Sequence, residues 1–280
     1  MTPLRLDAPA KLNLSLAVTG RRADGFHELD SELVLLELAD RLLLLPGCSG
    51  LRVEGEGSET LPLGTENLAW RGLLAGVGRA PDLVCLTLEK HIPVSAGLGG
   101  GSSDAAAAWR LGRRSEGAFD APDAATLEQL SSIGADVPFF AAQVAAGRVT
   151  GIGERISPLP GAGDGDQVVL AHPPFALSTA AVFAELQPSE WNSTPERGRN
   201  DLLAPAERLQ PGIRDVMRLM VAAGGAPELA GSGPTVFAIT DDPERAAAMT
   251  ARLQRGGVRA THTRMRSEPA SIEAIEEPEE

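Results

Sequence analysis

Tyrosine is absent from this chain of 280 residues, and lysine occurs only twice, as Lys11 and Lys90. Histidine is nearly as scarce, with four residues, and the two cysteines, Cys48 and Cys85, stand far apart with no Cys-x-x-Cys pair. Neither a structural zinc site nor a disulfide framework is expected, and the cysteines read as buried free thiols. The chain has no run of about 18 uncharged apolar residues, so no spanning helix is expected. Its first residues are charged at Arg5, Asp7 and Lys11 before any apolar run develops, which argues against a secretory leader and for a cytoplasmic protein. Positive charge is also in deficit. The formal net charge of −13 argues against nucleic acid and anionic membrane as partners.

With 43% apolar and 22% charged residues, the chain has the composition of a soluble globular protein, long enough for one large domain or two of ordinary size. Two details are sharper. Residues 268–280 (EPASIEAIEEPEE) contain six glutamates and no base, and this acidic tail is expected to be disordered. The other 23 basic residues are all arginine. A chain that keeps lysine at two places only directs attention to those places, because an ammonium and a guanidinium do different chemistry.

From Lys11 to Val18 apolar and small or polar residues alternate strictly, which predicts a half-buried strand with Lys11 and Asn13 together on the face away from the core. The turn GRRADGFHE follows, then apolar runs at 33–38 and 42–45 that predict two further strands. Residues 66–79 predict a helix and 83–90 a strand. Helical patterns follow at 123–133 and a strand at 147–157. Residues 158–166 (PLPGAGDGD) are a linker or long surface loop. Beyond it come a strand (QVVLA), a helix near 178–186, helices within 201–223, strands around LAGSGPTVFAI, an amphipathic helix at 243–255 and a strand at 258–266. Strands and helices mix without a regular βαβ beat, so the expected class is α+β in two domains, 1–160 and 161–267.

The segment PVSAGLGGGSSDAAAA at 93–108 is the most unusual in the chain. Glycines free the backbone, Ser, Ser and Asp are N-cap types, and alanine is the strongest helix former, so a loop opening into a helix N-terminus is expected. Backbone N–H groups at such a terminus suit phosphate; a merely tight structural turn is the competing reading. Familiar phosphate motifs are excluded. Neither lysine begins a Lys-Ser/Thr pair, so there is no Walker A loop. The last position of the near-match to GxGxxG is Ser102, and no His-Arg-Asp or GxSxG occurs. Asp136, in GADVP, reads either as a helix cap or as a carboxylate aimed at a hydroxyl proton, a role that phosphoryl transfer requires beside a positive charge.

APAKLNLSL, IPVSAGLGGGSSDAAA, GADVPFF and LAGSGPTVFA resemble, in the same order, the motifs of the GHMP kinase superfamily. RRADGFHEL at 21–29 and NDL at 200–202 are similar to those members that phosphorylate a cytidyl-diphosphate-linked polyol. The resemblance implies a two-domain α+β kinase with its active site in the inter-domain cleft, ATP as co-substrate and Mg2+ accompanying it. It further implies Asp136 as general base with Lys11 as its partner, and Ala96, Gly97, Leu98, Gly99, Gly100, Gly101, Ser102 and Ser103 as the ATP phosphate loop. Asn67 and Lys90 fall in the nucleotide pocket, and Asn13 beside the polyol. His27 would read the cytosine edge, with Phe26 and Phe183 stacking on the ring; turn and core roles are the plainer readings of His27 and Phe183. The turn carries Phe26 where the family has tyrosine, which removes any contact through a phenolic oxygen. No unmistakable Mg2+ ligand beyond the loop serines is evident, and none is assigned. Small molecules are the expected partners of a monomer or weak homodimer. Two alternatives are a homoserine- or mevalonate-type kinase, against which the RADGFHEL turn speaks, and a nucleotide-binding protein without chemistry, which would lack Lys11 or Asp136.

Overall fold

The alternation read from Lys11 onward belongs to a longer strand, β1 (Leu4–Arg21), which pairs antiparallel along its length with β2 (His27–Pro46) around a tight turn at 22–26. The apolar runs at 33–38 and 42–45 are therefore one strand rather than two. The polar break between them remains extended because Asp40, fully buried, finds its partners across the sheet. The computed structural model describes residues 2–78, 84–161, 165–192 and 194–275.

β1 and β2 form the spine of a mixed sheet in the order β11-β1-β2-β4-β3, from β3 (Gly50–Gly55), β4 (Val84–Lys90) and β11 (Glu273–Ala274). Residues expected as a single strand at 147–157 form a hairpin, β5 (Ala146–Gly151) and β6 (Arg155–Pro158), with β5 paired to β2. Across this sheet lie α1 (Leu68–Val77), α2 (Gly100–Ser115), α3 (Ala124–Ser131) and the short α4 (Val137–Ala141). The alanine run of α2 lets α1 come close: a Cβ on Gly72 would lie 2.0 Å from the Ala105 carbonyl oxygen.

A second antiparallel sheet has the order β10-β7-β9-β8, from β7 (Gln167–His172), β8 (Glu228–Leu229), β9 (Val236–Thr240) and β10 (Arg259–Arg264). α5 (Thr179–Glu185), α6 (Leu203–Leu209), α7 (Gly212–Ala223) and α8 (Pro243–Arg255) complete this half. Its caps follow the sequence: Ser178 accepts from Ala181 N, and Asp242, with Pro243 after it, accepts from Glu244 N and Arg245 N. The α+β class expected from the sequence is the class observed.

Three expectations are corrected. β1 is buried on both faces over its central part, with Lys11 and Asn13 only 5% and 7% exposed, because the face they share with their pairing partners Leu35 and Leu33 meets the helix layer and the glycine loop rather than solvent. Ala10, Leu12 and Leu14 share an apolar cluster with Val168, Leu170 and Phe237, and Leu16 and Val18 share another with Val169, Ala171 and Val216. Cys48 and Cys85 are joined as a disulfide rather than standing as free thiols. The turn after β2 brings Cys48 back over Cys85, a proximity made by strand pairing and invisible to sequence spacing. The acidic tail is ordered as far as Ile275: Ala270 is buried, and Glu273 and Ala274 pair with β1. Residues 276–280 lie outside the described residues.

Candidate active site

A cavity of about 510 Å³ is lined by residues from both halves of the chain. Lys11, Asn13, Asp136, Asn67, Lys90, Phe183 and the loop from Ala96 to Ser102 all line it, as do Gly231, Ser232 and Thr179. Residues from six segments of sequence thus meet in one place.

Lys11 is placed by a register break. The β1–β2 pairing shifts between Pro9 and Lys11, and the freed Lys11 N–H donates to the Leu98 carbonyl at 3.0 Å, tying β1 to the glycine loop. The Lys11 ammonium donates to Asn13 Oδ1 at 2.7 Å and stands 3.7 Å from Asp136 Oδ2. The Asn13 amide donates in turn to Ser31 Oγ at 2.8 Å, which fixes its orientation. Asp136 occupies the cap position of α4, yet its side chain makes no capping hydrogen bond. The whole of α4 is buried, which holds the carboxylate in place while leaving it open to the cavity. The Asp136 carboxylate thus stands beside an ammonium and without a capping hydrogen bond.

The loop opens into α2 as expected, with Gly97 (φ 78°) and Gly99 (φ 72°) in the left-handed region. Gly97 is also pressed against the turn after β8: a Cβ there would lie 2.3 Å from the Ala230 carbonyl oxygen and 2.7 Å from that of Gly233. On the other side of the same turn, a Cβ on Gly231 would lie 3.0 Å from Lys11 Nζ. The turn Gly231-Ser232-Gly233 therefore both connects β8 to β9 and packs on the loop. Asn200 holds it there by donating to the Leu229 and Gly231 carbonyls at 2.9 and 2.7 Å. Asp201 accepts from Val18 N and Asn192 N, so the NDL motif stitches β1 to the glycine turn.

Of the expected site residues, Ser103 and Phe26 lie outside the cavity wall, while Asn67 and Lys90 line it with their side chains engaged by other protein groups. Ser103 is buried behind the cavity wall, its hydroxyl without a hydrogen-bond partner among the described residues. The Asn67 side chain caps α1, accepting from Ala69 N and donating to the Pro62 carbonyl, so its amide is already engaged although the residue lines the cavity. The Lys90 ammonium is enclosed by Asp40 and Asp104. Burial alone would lower it, but the two carboxylates hold it above the ordinary lysine value. Burial pushes Asp104 well above the usual carboxylate range, against the pull of Lys90. Phe26 is 60% exposed at the tip of the β1–β2 turn, outside the cavity wall.

His27, not Phe26, stacks on Phe183, with ring centroids 5.3 Å apart and planes 25° from parallel. Trp191 meets His27 edge-on at 5.9 Å. Burial and then Arg21 lower the His27 pKa, so at neutral pH the ring is uncharged and offers one donor and one acceptor. Sequence reading missed Asp40, Asp104, Ser31 and Trp191. Asp104 stood inside the SSDAA motif and was the one of the four with a signal.

A strand lysine, a carboxylate and a glycine loop at a helix start, in a cleft between two α+β halves, define a GHMP kinase. The family model for the GHMP kinase N-terminal domain matches residues 67–143 and that for the C-terminal domain residues 181–259. The 4-diphosphocytidyl-2-C-methyl-D-erythritol kinase of Rhodopseudomonas palustris is 34% identical, covering 92% of this chain and 97% of its own. That of Granulibacter bethesdensis is 39% identical over 89% and 90%. A crystal structure of a 4-(cytidine 5'-diphospho)-2C-methyl-D-erythritol kinase superposes with a TM-score of 0.75 at 33% identity, covering 93% and 98%. A homoserine kinase from Cytophaga hutchinsonii, 16% identical with a TM-score of 0.67, shares the fold. The chain belongs to the 4-diphosphocytidyl-2-C-methyl-D-erythritol kinase family and is a kinase with ATP as its co-substrate.

Proposed function

We propose that the cleft transfers the γ-phosphoryl group of ATP to the 2-hydroxyl of 4-(cytidine 5'-diphospho)-2-C-methyl-D-erythritol, a step of the methylerythritol phosphate route to isoprenoid precursors. The observation that carries this reading is the convergence of Lys11, Asn13 and Asp136 beside the loop at Ala96–Ser102 in one cavity. The substrate oxygen attacks the γ-phosphorus, the bond from that phosphorus to the β–γ bridging oxygen breaks, and ADP departs. Asp136 accepts the hydroxyl proton, and the Lys11 ammonium faces the charge that develops between them. Asn13, held by Ser31, orients the polyol. Backbone N–H groups of the loop and the N-terminus of α2 receive the phosphates.

Among the described residues no group of three His, Cys, Asp or Glu side chains is placed to hold a metal, which fits an ion that arrives on ATP with phosphate oxygens and waters filling most of its coordination. Mg2+ would shield the β- and γ-phosphate charge. Ser102, in the cavity wall, is the residue that would hold it. Residues 1–160 form the ATP-binding half and 161–267 the second half. The enzyme acts on small molecules in the cytoplasm as a monomer or weak homodimer; among the described residues no helix is long and apolar enough to cross a membrane.

With ATP and Mg2+ the purified chain should phosphorylate the cytidyl-linked polyol and leave homoserine and mevalonate untouched. Equal or faster turnover of homoserine would overturn the assignment. For the pyrimidine, His27 reads the cytosine edge in a wall made with Phe183 and Trp191. His27→Ala should raise KM for the cytidyl substrate about tenfold, the value of one lost hydrogen bond, and leave KM for ATP within about twofold. Steady-state kinetics with each substrate varied in turn check this, and the reverse pattern would move His27 to the nucleotide.

A further inference from the structure

Residues 91–99 leave the end of β4 and return into the first turn of α2, and the part that meets a polyphosphate, Ala96–Gly99, lies in the second half of that excursion. Such a loop keeps its working shape only if its two ends are fixed relative to each other. On the β4 side, Asp40 of β2 accepts from His91 N at 2.6 Å and from Ile92 N at 2.8 Å, so the first two residues of the loop hang from one carboxylate. On the α2 side, Asp104 accepts from Lys90 Nζ at 2.7 Å, and the same ammonium donates to Asp40. All three side chains are buried, Asp40 completely.

We propose that Asp40, Lys90 and Asp104 form a charged staple across the two ends of the glycine loop, which makes them positioning residues for ATP rather than contacts to it. The staple rests on the reading of the loop as the ATP phosphate site. It also accounts for one of the two lysines in an arginine-rich chain. A Cβ on Gly100 would lie 3.5 Å from Lys90 Nζ, which places the ammonium against the first turn of α2.

A staple and a direct contact predict opposite signs. If Lys90 touched ATP, removing a competing carboxylate would free the ammonium and tighten binding. With a staple, Asp104→Asn keeps the cation but slackens the α2 arm. Affinity for a non-hydrolysable ATP analogue, measured by calorimetry, should then fall about tenfold to a hundredfold, the usual consequence of a misplaced binding element. KM for the cytidyl substrate should stay within about twofold, which separates a local effect on the loop from general loosening. The triple variant Asp40→Asn/Lys90→Met/Asp104→Leu removes all three charges, leaves no buried ion unpaired and keeps an amide oxygen to accept from the loop N–H groups, and should lose affinity in the same way while remaining folded. Wild-type or tighter binding in either folded variant overturns the staple. Failure of both variants to fold also overturns it, because the cluster would then serve the whole fold. Failure of the wild-type protein to bind the analogue would instead overturn the reading of the loop as the ATP site.

Discussion

Asp136→Asn should lower kcat by about 10²- to 10⁴-fold, the range that a positioned general base contributes, while binding of a non-hydrolysable ATP analogue remains close to wild type. The amide keeps the size and polarity of the carboxylate but cannot take the hydroxyl proton. Stability should hardly change: Asp136 makes no capping hydrogen bond, and its ion pair with Lys11 is 3.7 Å long with the carboxylate about a third exposed, a geometry worth little in water. Turnover and a thermal melt on the same preparation separate the outcomes. Near-normal turnover would leave the acceptor role to another group, and a large loss of melting temperature would make Asp136 a structural residue. Because Lys11 also holds Asn13, removing the lysine would disturb two things at once, so the aspartate is the cleaner probe.

Gly97→Ala has the second large expected effect, and here the cause is space. The residue has φ 78°, a region that side chains other than glycine's rarely adopt, and its Cβ would lie 2.3 Å from one backbone oxygen and 2.7 Å from another. Neither neighbour is the free end of a flexible side chain. The glycine turn at 230–233 is held by Asn200 and by β9, so the loop rather than the turn must give way. Backbone strain of about 1–3 kcal/mol should lower the melting temperature by about 3–10 °C. Affinity for the ATP analogue should fall at least about tenfold, because the displaced N–H groups no longer converge on the phosphates. Calorimetric titration together with a thermal melt reads both. Wild-type affinity would show that Gly97 does not shape the ATP site.

How far the sequence reached can be seen in particular residues. The helices were legible because their signals are local: a cap, an alanine run, an apolar stripe. The glycine loop, Lys11 and Asp136 were legible as separate fragments, and the cavity brings them together. What escaped was set by partners distant in sequence. Asp40 interrupted an apolar run and read as the end of a strand, yet it remains inside β2 because its charge meets Lys90 and two backbone N–H groups some fifty positions later. Lys11 and Asn13 obeyed the alternation of an exposed face, but period two reports only that a face differs from its opposite, and here the glycine loop and the start of α4 supplied a cover. Trp191 lies in an irregular segment with no periodicity, so nothing marked it as a neighbour of His27. The pairing of Cys48 with Cys85 depends on strand register, which spacing does not encode.

The double burial of β1 bears on how the cleft can shut. Its residues contribute apolar side chains to clusters on both sides of the segment at 158–166, so a rotation of one half against the other about that segment would have to shear packed leucines and valines out of register. The spine therefore works as a fixed beam rather than a pivot, and the cavity is enclosed by two halves packed as one body.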